Sequence, residues 1–118
     1  MAAMQDSVDP DTAGDDAVVR VLGPQDVGLM RAALQLFGAA FDDGERYCAA
    51  QPSDDYLRAL LGRDTFLAVV AIRDGRVVGA LAGYVLPKFE RAESEFYIYD
   101  LAVDAAHRRR GLATAMIE

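Results

Sequence analysis

The sequence predicts an α/β (α+β) fold with the element order β-α-α-β-β-β-α. Three observations carry that expectation. An apolar stripe recurs at +3, +4, +3, +4 through Val27, Met30, Leu34, Phe37 and Phe41, the spacing of an amphipathic helix. Two β-rich runs flank Asp74-Gly75, a dipeptide that favours a tight hairpin turn. A third apolar run, EFYIYDLAV at 95–103, leads into a glycine-containing loop and a last apolar stretch.

Each element follows from local chemistry. Residues 17–22 (AVVRVL) read as a first strand, broken by Gly23-Pro24, and Pro24 suits the first turn of a helix over roughly residues 25 to 41. Asp42-Asp43-Gly44 ends that helix. Ser53 is placed to cap a second helix carrying Tyr56, Leu57, Leu60 and Leu61 on one side and closing at Gly62. Residues 65–73 (TFLAVVAIR) and 76–86 (RVVGALAGYVL) form the hairpin strands, the second stopped by Pro87. In the fourth strand odd and even positions are both apolar, so both of its faces are expected to be covered. Gly79 and Gly83 lie within a strand with no helix following, which argues for a bulge or a close backbone approach and against a nucleotide loop.

Composition bounds the function. The 118 residues carry a net charge of −7, and Asp6, Asp9, Asp11, Asp15 and Asp16 supply five of those negative charges before any Lys or Arg occurs. Residues 1–16 therefore read as a solvated, disordered acidic arm and not as a signal peptide, with one domain over 17–118. No run approaches the roughly 18 apolar residues of a membrane span. Cys48 is the sole cysteine and His107 the sole histidine, so neither a disulfide nor a thiol-based metal site is expected. The expected compartment is a reducing cytoplasm. The one basic run sits in an acidic chain, which does not point to nucleic acid.

The chemistry concentrates near the end. Arg108-Arg109-Arg110-Gly111-Leu112-Ala113 reads as Arg-x-x-Gly-x-Ala entering a helix directly after a strand. The first turn of a helix presents unpaired N–H groups and partial positive charge, and Gly111 leaves them unobstructed. A pyrophosphate can settle there, although basic residues before a helix are more often a solvated turn. Asp100 is the one carboxylate within the apolar interior of that strand. Such a group is costly to bury unless it is paired. It serves either a structural role, capping amides or pairing an arginine, or a general base where the strand meets substrate.

The runs MRAALQLFG (30–38), GALAGYVLPKFERAESEFYIYDLAV (79–103) and HRRRGLATAMI (107–117) closely resemble the type I aminoglycoside 3-N-acetyltransferases of the GNAT acetyltransferase superfamily. The resemblance runs from about Val19 to the last residue. It implies a mixed, mostly antiparallel sheet flanked by helices, and acetyl-CoA as cosubstrate without a metal. Carried over, backbone groups of Leu101, Ala102 and Val103 would hold the pantetheine arm, and Arg108, Arg109, Arg110, Gly111, Leu112 and Ala113 the pyrophosphate. The acceptor would be the 3-amino group of a 2-deoxystreptamine aminoglycoside such as gentamicin, with Asp100 as the base that frees it. Candidates for the other ammonium groups are Asp42, Asp43, Glu45, Asp54 and Asp55 around the first two helices, and Glu90, Glu93 and Glu95 before the fourth strand. Tyr84 and Tyr99 can pack on sugar rings, though core packing is the first expectation for each. By the same resemblance the chain ends within a third helix, short of a fifth strand. That leaves two rival readings, a non-catalytic fragment that self-associates, a homodimer included, and an acetyltransferase acting on another amine.

Overall fold

The structure is a computed structural model that describes residues 17–107 and 111–117. The acidic arm lies outside the described residues. The elements are β1 (Val18–Val21), a 3-10 turn (Pro24–Asp26), α1 (Val27–Ala40), a π-helical turn (Glu45–Ala49), α2 (Asp54–Leu61), β2 (Phe66–Arg73), β3 (Arg76–Pro87), β4 (Ser94–Val103), a 3-10 turn (Ala105–His107) and α3 (Leu112–Ile117). The strands form one sheet in the order β1-β2-β3-β4, every neighbouring pair antiparallel.

Alternation along β2, and along β3 apart from an extra residue at Val78, sorts the core into two layers. Phe66, Ala68, Val70, Ala80 and Ala82 face α1 and α2, where they meet Leu22, Met30, Ala33, Phe37, Leu57 and Leu61. Val69, Ala71, Val78 and Leu81 face the other way and pack against Met116 of α3. Two covered faces explain why FLAVVAI is apolar at every position. Gly79 belongs to this second contact, since a Cβ there would stand 3.0 Å from Met116 Cε.

Local signals behave as chemistry dictates. Asp74 and Gly75 both take positive φ, 53° and 75°, the pair of left-handed residues that a type I′ hairpin turn requires. Ser53 Oγ accepts the Tyr56 N–H at 3.1 Å and caps α2. Three expectations are corrected. The buried line of α1 is Met30, Ala33, Phe37 and Gly38, while Phe41 is exposed. Tyr56 faces solvent instead of sharing the side of Leu57 and Leu61. Most important, β4 is not covered on both faces: the stretch from Ser94 to Tyr99 is exposed, and only Ala102 is buried. Its ten residues extend about 34 Å, whereas the fourteen of α1 span about 21 Å. The far end of the β3–β4 hairpin therefore runs beyond the helix that would cover it.

The β1–α1 junction rests on Asp26, which the sequence reading passed over. Its carboxylate accepts the Gly23 N–H at 2.8 Å and pairs with Arg20 at 2.7 Å, and the residue is only 7% exposed. The Gly23 amide, and then the Arg20 guanidinium, hold this carboxyl below its ordinary value of 3.8 against the opposing effect of burial. A depressed native-state value means that Asp26 contributes its full stability above the ordinary carboxylate range and loses it as pH falls through the native value. Asp26→Asn is expected to lower Tm at neutral pH. In thermal melts taken down to about pH 2 the gap to the wild type should narrow and close. A gap constant with pH would refute this account.

Candidate active site

The site is shaped by one extra residue. Ala82 pairs with Asp100 and Gly83 with Ile98, so Tyr99 is a bulge in β4. Strict alternation would send Tyr99 and Asp100 to opposite faces. The bulge turns both toward the α1 side. The Tyr99 ring meets Tyr84 edge-on at 5.9 Å, and Tyr84 in turn packs on Phe66 of the helix-side core at 5.3 Å. Gly83 makes room for the bulge, since a Cβ there would lie 2.5 Å from both Phe96 Cζ and the Tyr97 carbonyl oxygen. Of the two open readings of Gly83, the bulge and the close approach, the structure contains both.

Asp100 is half-buried, not sealed in the core, because β4 is the last strand of the described sheet. Its Oδ2 accepts a hydrogen bond from the Tyr47 hydroxyl at 3.0 Å. Tyr47 rides on the π-helical turn after α1, its ring wedged against Phe37 at 5.8 Å and Phe41 at 5.9 Å. Partial burial first, then the bond to Asp100 and its charge, raise the phenol above its ordinary value of 10.0. The hydroxyl therefore remains a donor at neutral pH. No motif marks Tyr47, which meets a partner 53 residues away.

The two tyrosines expected in the core are not there. Tyr84 is 39% exposed and Tyr99 59%, which leaves ring surface open beside Asp100. The acids divide into two groups. Asp54 pairs with Arg31 at 2.6 Å, Asp55 with Arg58 at 2.9 Å, and Glu93 and Glu95 share Lys88 at 3.1 and 3.6 Å. The hydrogen bond from Arg31 holds Asp54 below the usual carboxylate value. An ammonium ligand would share each of these four with an internal cation that already neutralises its charge. Asp42 sits at positive φ, 52°, just after α1, exposed and without an ion-pair partner among the described residues. Asp43 accepts the Arg46 N–H at 3.3 Å and, through its carbonyl, the Tyr47 N–H at 3.3 Å, which places it against the Tyr47 turn. Glu45 and Glu90 are exposed.

Beyond Asp100 the strand continues through Leu101, Ala102 and Val103, with no strand on its outer side among the described residues. Asp104 closes it: its N–H donates to Val78 O at 2.8 Å, and its Oδ1 accepts the Ala106 N–H at 2.9 Å. Arg108, Arg109 and Arg110 lie outside the described residues. Gly111 follows at φ 74° and is exposed, and its carbonyl accepts the Ala115 N–H at 2.9 Å as α3 begins with Leu112 and Ala113. That backbone favours glycine over any residue with a Cβ. The outer edge of β4 at Leu101 and Ala102, followed by a bare left-handed glycine at a helix start, fits an extended arm ending in a pyrophosphate.

Comparison with known proteins agrees with this architecture. Residues 29–118 match the acetyltransferase (GNAT) family. The chain is similar to an aminoglycoside acetyltransferase from an uncultured soil metagenomic sample, with 50% identity and a TM-score of 0.85 over 87% of this chain and 68% of that one. A second such enzyme from a soil metagenomic sample, solved in complex with sisomicin, has 30% identity and a TM-score of 0.77 over 86% of this chain and 65% of that one. L-2,4-diaminobutyric acid acetyltransferase of Wolinella succinogenes is 36% identical over 64 residues, which make up 53% of this chain and 35% of that protein. The matching segment thus spans about a third of the curated relative.

The crowding at Gly83 is directly testable. Gly83→Ala is expected to destabilise the protein by about 1–3 kcal/mol, the usual cost of forcing an atom into a filled space, because one of the obstructing atoms is backbone. Denaturant unfolding measures it, and a wild-type midpoint would mean the bulge can relax away from the added methyl.

Proposed function

The chain belongs to the acetyltransferase (GNAT) family, and on that premise we propose that it transfers acetyl from acetyl-CoA to the 3-amino group of 2-deoxystreptamine aminoglycosides such as gentamicin. The observation that carries the reading is Asp100, a half-buried carboxylate presented by the β4 bulge beside two exposed tyrosine rings and just ahead of an open strand edge. The likeness to two aminoglycoside acetyltransferases, at 50% and 30% identity, supports the acceptor class.

Acetyl-CoA, when bound, supplies the activated acetyl thioester. Everything else is asked of the chain. Backbone groups of Leu101, Ala102 and Val103 hydrogen-bond the extended arm along the outer edge of β4. The Gly111 and Ala113 backbone at the start of α3 takes the pyrophosphate, with Arg108, Arg109 and Arg110 adding charge. An ammonium group has no lone pair, so Asp100 removes its proton through Oδ1 or an intervening water before the nitrogen attacks the thioester carbonyl. The C–N bond forms, the C–S bond breaks, and coenzyme A leaves as the thiol, taking up the second proton that the acylated nitrogen gives up. Tyr84 and Tyr99 offer their ring faces to the sugars, and Asp42 holds a further ammonium group. Losing one positive charge weakens such a drug's hold on RNA, so the biological outcome of the reading is antibiotic resistance. The compartment we assign is the cytoplasm, in keeping with the free, exposed Cys48.

One observation favours a second reading, in which the acceptor is a small diamine: the 36% identity to a diaminobutyric acid acetyltransferase.

The deciding assay is release of free coenzyme-A thiol by the 118-residue chain with acetyl-CoA and either gentamicin or L-2,4-diaminobutyrate. Gentamicin-dependent release is expected. Release with diaminobutyrate alone would favour the second reading, and none from folded protein would overturn both. Asp100→Asn is expected to lower turnover about 10²- to 10⁴-fold with little change in acetyl-CoA affinity. Gly111→Val should instead weaken acetyl-CoA binding roughly tenfold by opposing the left-handed backbone and crowding the pyrophosphate. Calorimetric dissociation constants for both variants separate the two roles.

A further inference from the structure

We infer that Tyr47 is the positioning residue of this site, orienting Asp100 through its hydroxyl while hydrogen bonds from α1 and α2 hold its backbone. The inference rests on the reading of Asp100 as the base. One set of hydrogen bonds fixes the Tyr47 backbone, and a separate one runs from its hydroxyl to Asp100. Asp54 on α2 accepts from Arg31 Nη2 at 2.6 Å, and Pro52 O accepts from the same nitrogen at 3.0 Å. Arg31 Nη1 on α1 donates to Gln51 Oε1 at 2.8 Å, and Gln51 Nε2 donates to the Tyr47 carbonyl at 3.1 Å. The Tyr47 hydroxyl then donates to Asp100 Oδ2 at 3.0 Å.

Three features separate this arrangement from ordinary core packing. The bond engages a single oxygen of Asp100, and Oδ1 has no hydrogen-bond partner among the described residues. One lone-pair set is thus spent on orientation while the other faces the acceptor. The carboxylate stands next to the bulge at Tyr99, in the last described strand. A base must be held to within fractions of an ångström to be effective. Finally, Tyr47 is itself fixed at both ends, by the Phe37 and Phe41 rings and by Gln51. Asp54, considered above as a grip for the substrate, is in this account part of the scaffold.

The test is a double-mutant cycle on the full chain, measuring kcat and the KM for acetyl-CoA in the wild type, Tyr47→Phe, Asp100→Asn and the double variant. Tyr47→Phe keeps the ring in its aromatic cluster and removes only the hydroxyl. It should lower kcat about tenfold with the KM for acetyl-CoA unchanged. In the Asp100→Asn background it should cost nothing more, because the group it orients is gone. Wild-type kcat in Tyr47→Phe, or costs that simply add, would overturn the inference. Full turnover by Asp100→Asn would instead overturn the assignment of the base.

A second measurement needs no turnover. In a spectrophotometric titration, one tyrosine should ionise above the ordinary range and be missing from Tyr47→Phe. Arg46 and Asp43 are the other charged groups acting on that phenol. In Asp100→Asn its ionisation should move down toward the ordinary value. A titration unchanged by Asp100→Asn would show that Tyr47 does not hold Asp100, and would overturn the inference by itself.

Discussion

A single unpaired residue in β4 decides what this protein can present to a ligand. The pairing of Ala82 with Asp100 and of Gly83 with Ile98 leaves Tyr99 over. From that one-residue surplus follows the turning of Tyr99 and Asp100 to the same side, the row of rings from Phe66 through Tyr84 to Tyr99, and the reach of Asp100 to Tyr47. Without the bulge the strand would keep its period of two, and Asp100 and the neighbouring Tyr99 ring would lie on opposite faces of the sheet. The bulge requires a neighbour with no side chain, which is the physical use of Gly83.

The two halves of the sheet have different tasks. Toward β1, apolar side chains on both faces of β2 and β3 are sealed by α1 and α2 on one side and by Met116 on the other. That is where burial stabilises the fold. Toward the β3–β4 hairpin the strands outrun the helices, and Leu86, Phe89, Phe96, Tyr97 and Tyr99 remain exposed. A protein that places its aromatic surface where the core has ended is offering it to something else. Charged groups follow the same division. Arg20 and Asp26 lock a chain junction, and Arg31, Gln51 and Asp54 tie α1 to the segment leading into α2. These contacts keep the Tyr47 turn in place over the sheet.

Much of the fold was legible because it depends on short-range rules. Pro24 at a helix start, Ser53 as a cap, Asp74-Gly75 as a hairpin turn and the apolar run of β2 each act within a few residues of themselves. The misreadings share one cause. The apolar pattern of β4 states that its side chains are hydrophobic, and it does not state how far the helices reach across the sheet. The exposure of Phe41, Tyr56, Tyr84 and Tyr99 is likewise a matter of which elements end where. The acids were identified as carboxylates available to an ammonium group, yet Arg31, Arg58 and Lys88 claim four of them, and those pairings are made by the folded geometry.

By itself the sequence determined the main elements, their order, the hairpin of β2 and β3, and the chemical identity of Asp100 and of the loop running through Gly111. Those follow from backbone preference and hydrophobic period, which are properties of neighbouring residues. Only the tertiary structure decided that Tyr47 meets Asp100, that Asp26 anchors a junction, and that β4 shows its aromatic residues to solvent. Those depend on distances between residues far apart in the chain and on a register shift of one residue, and no local pattern carries either.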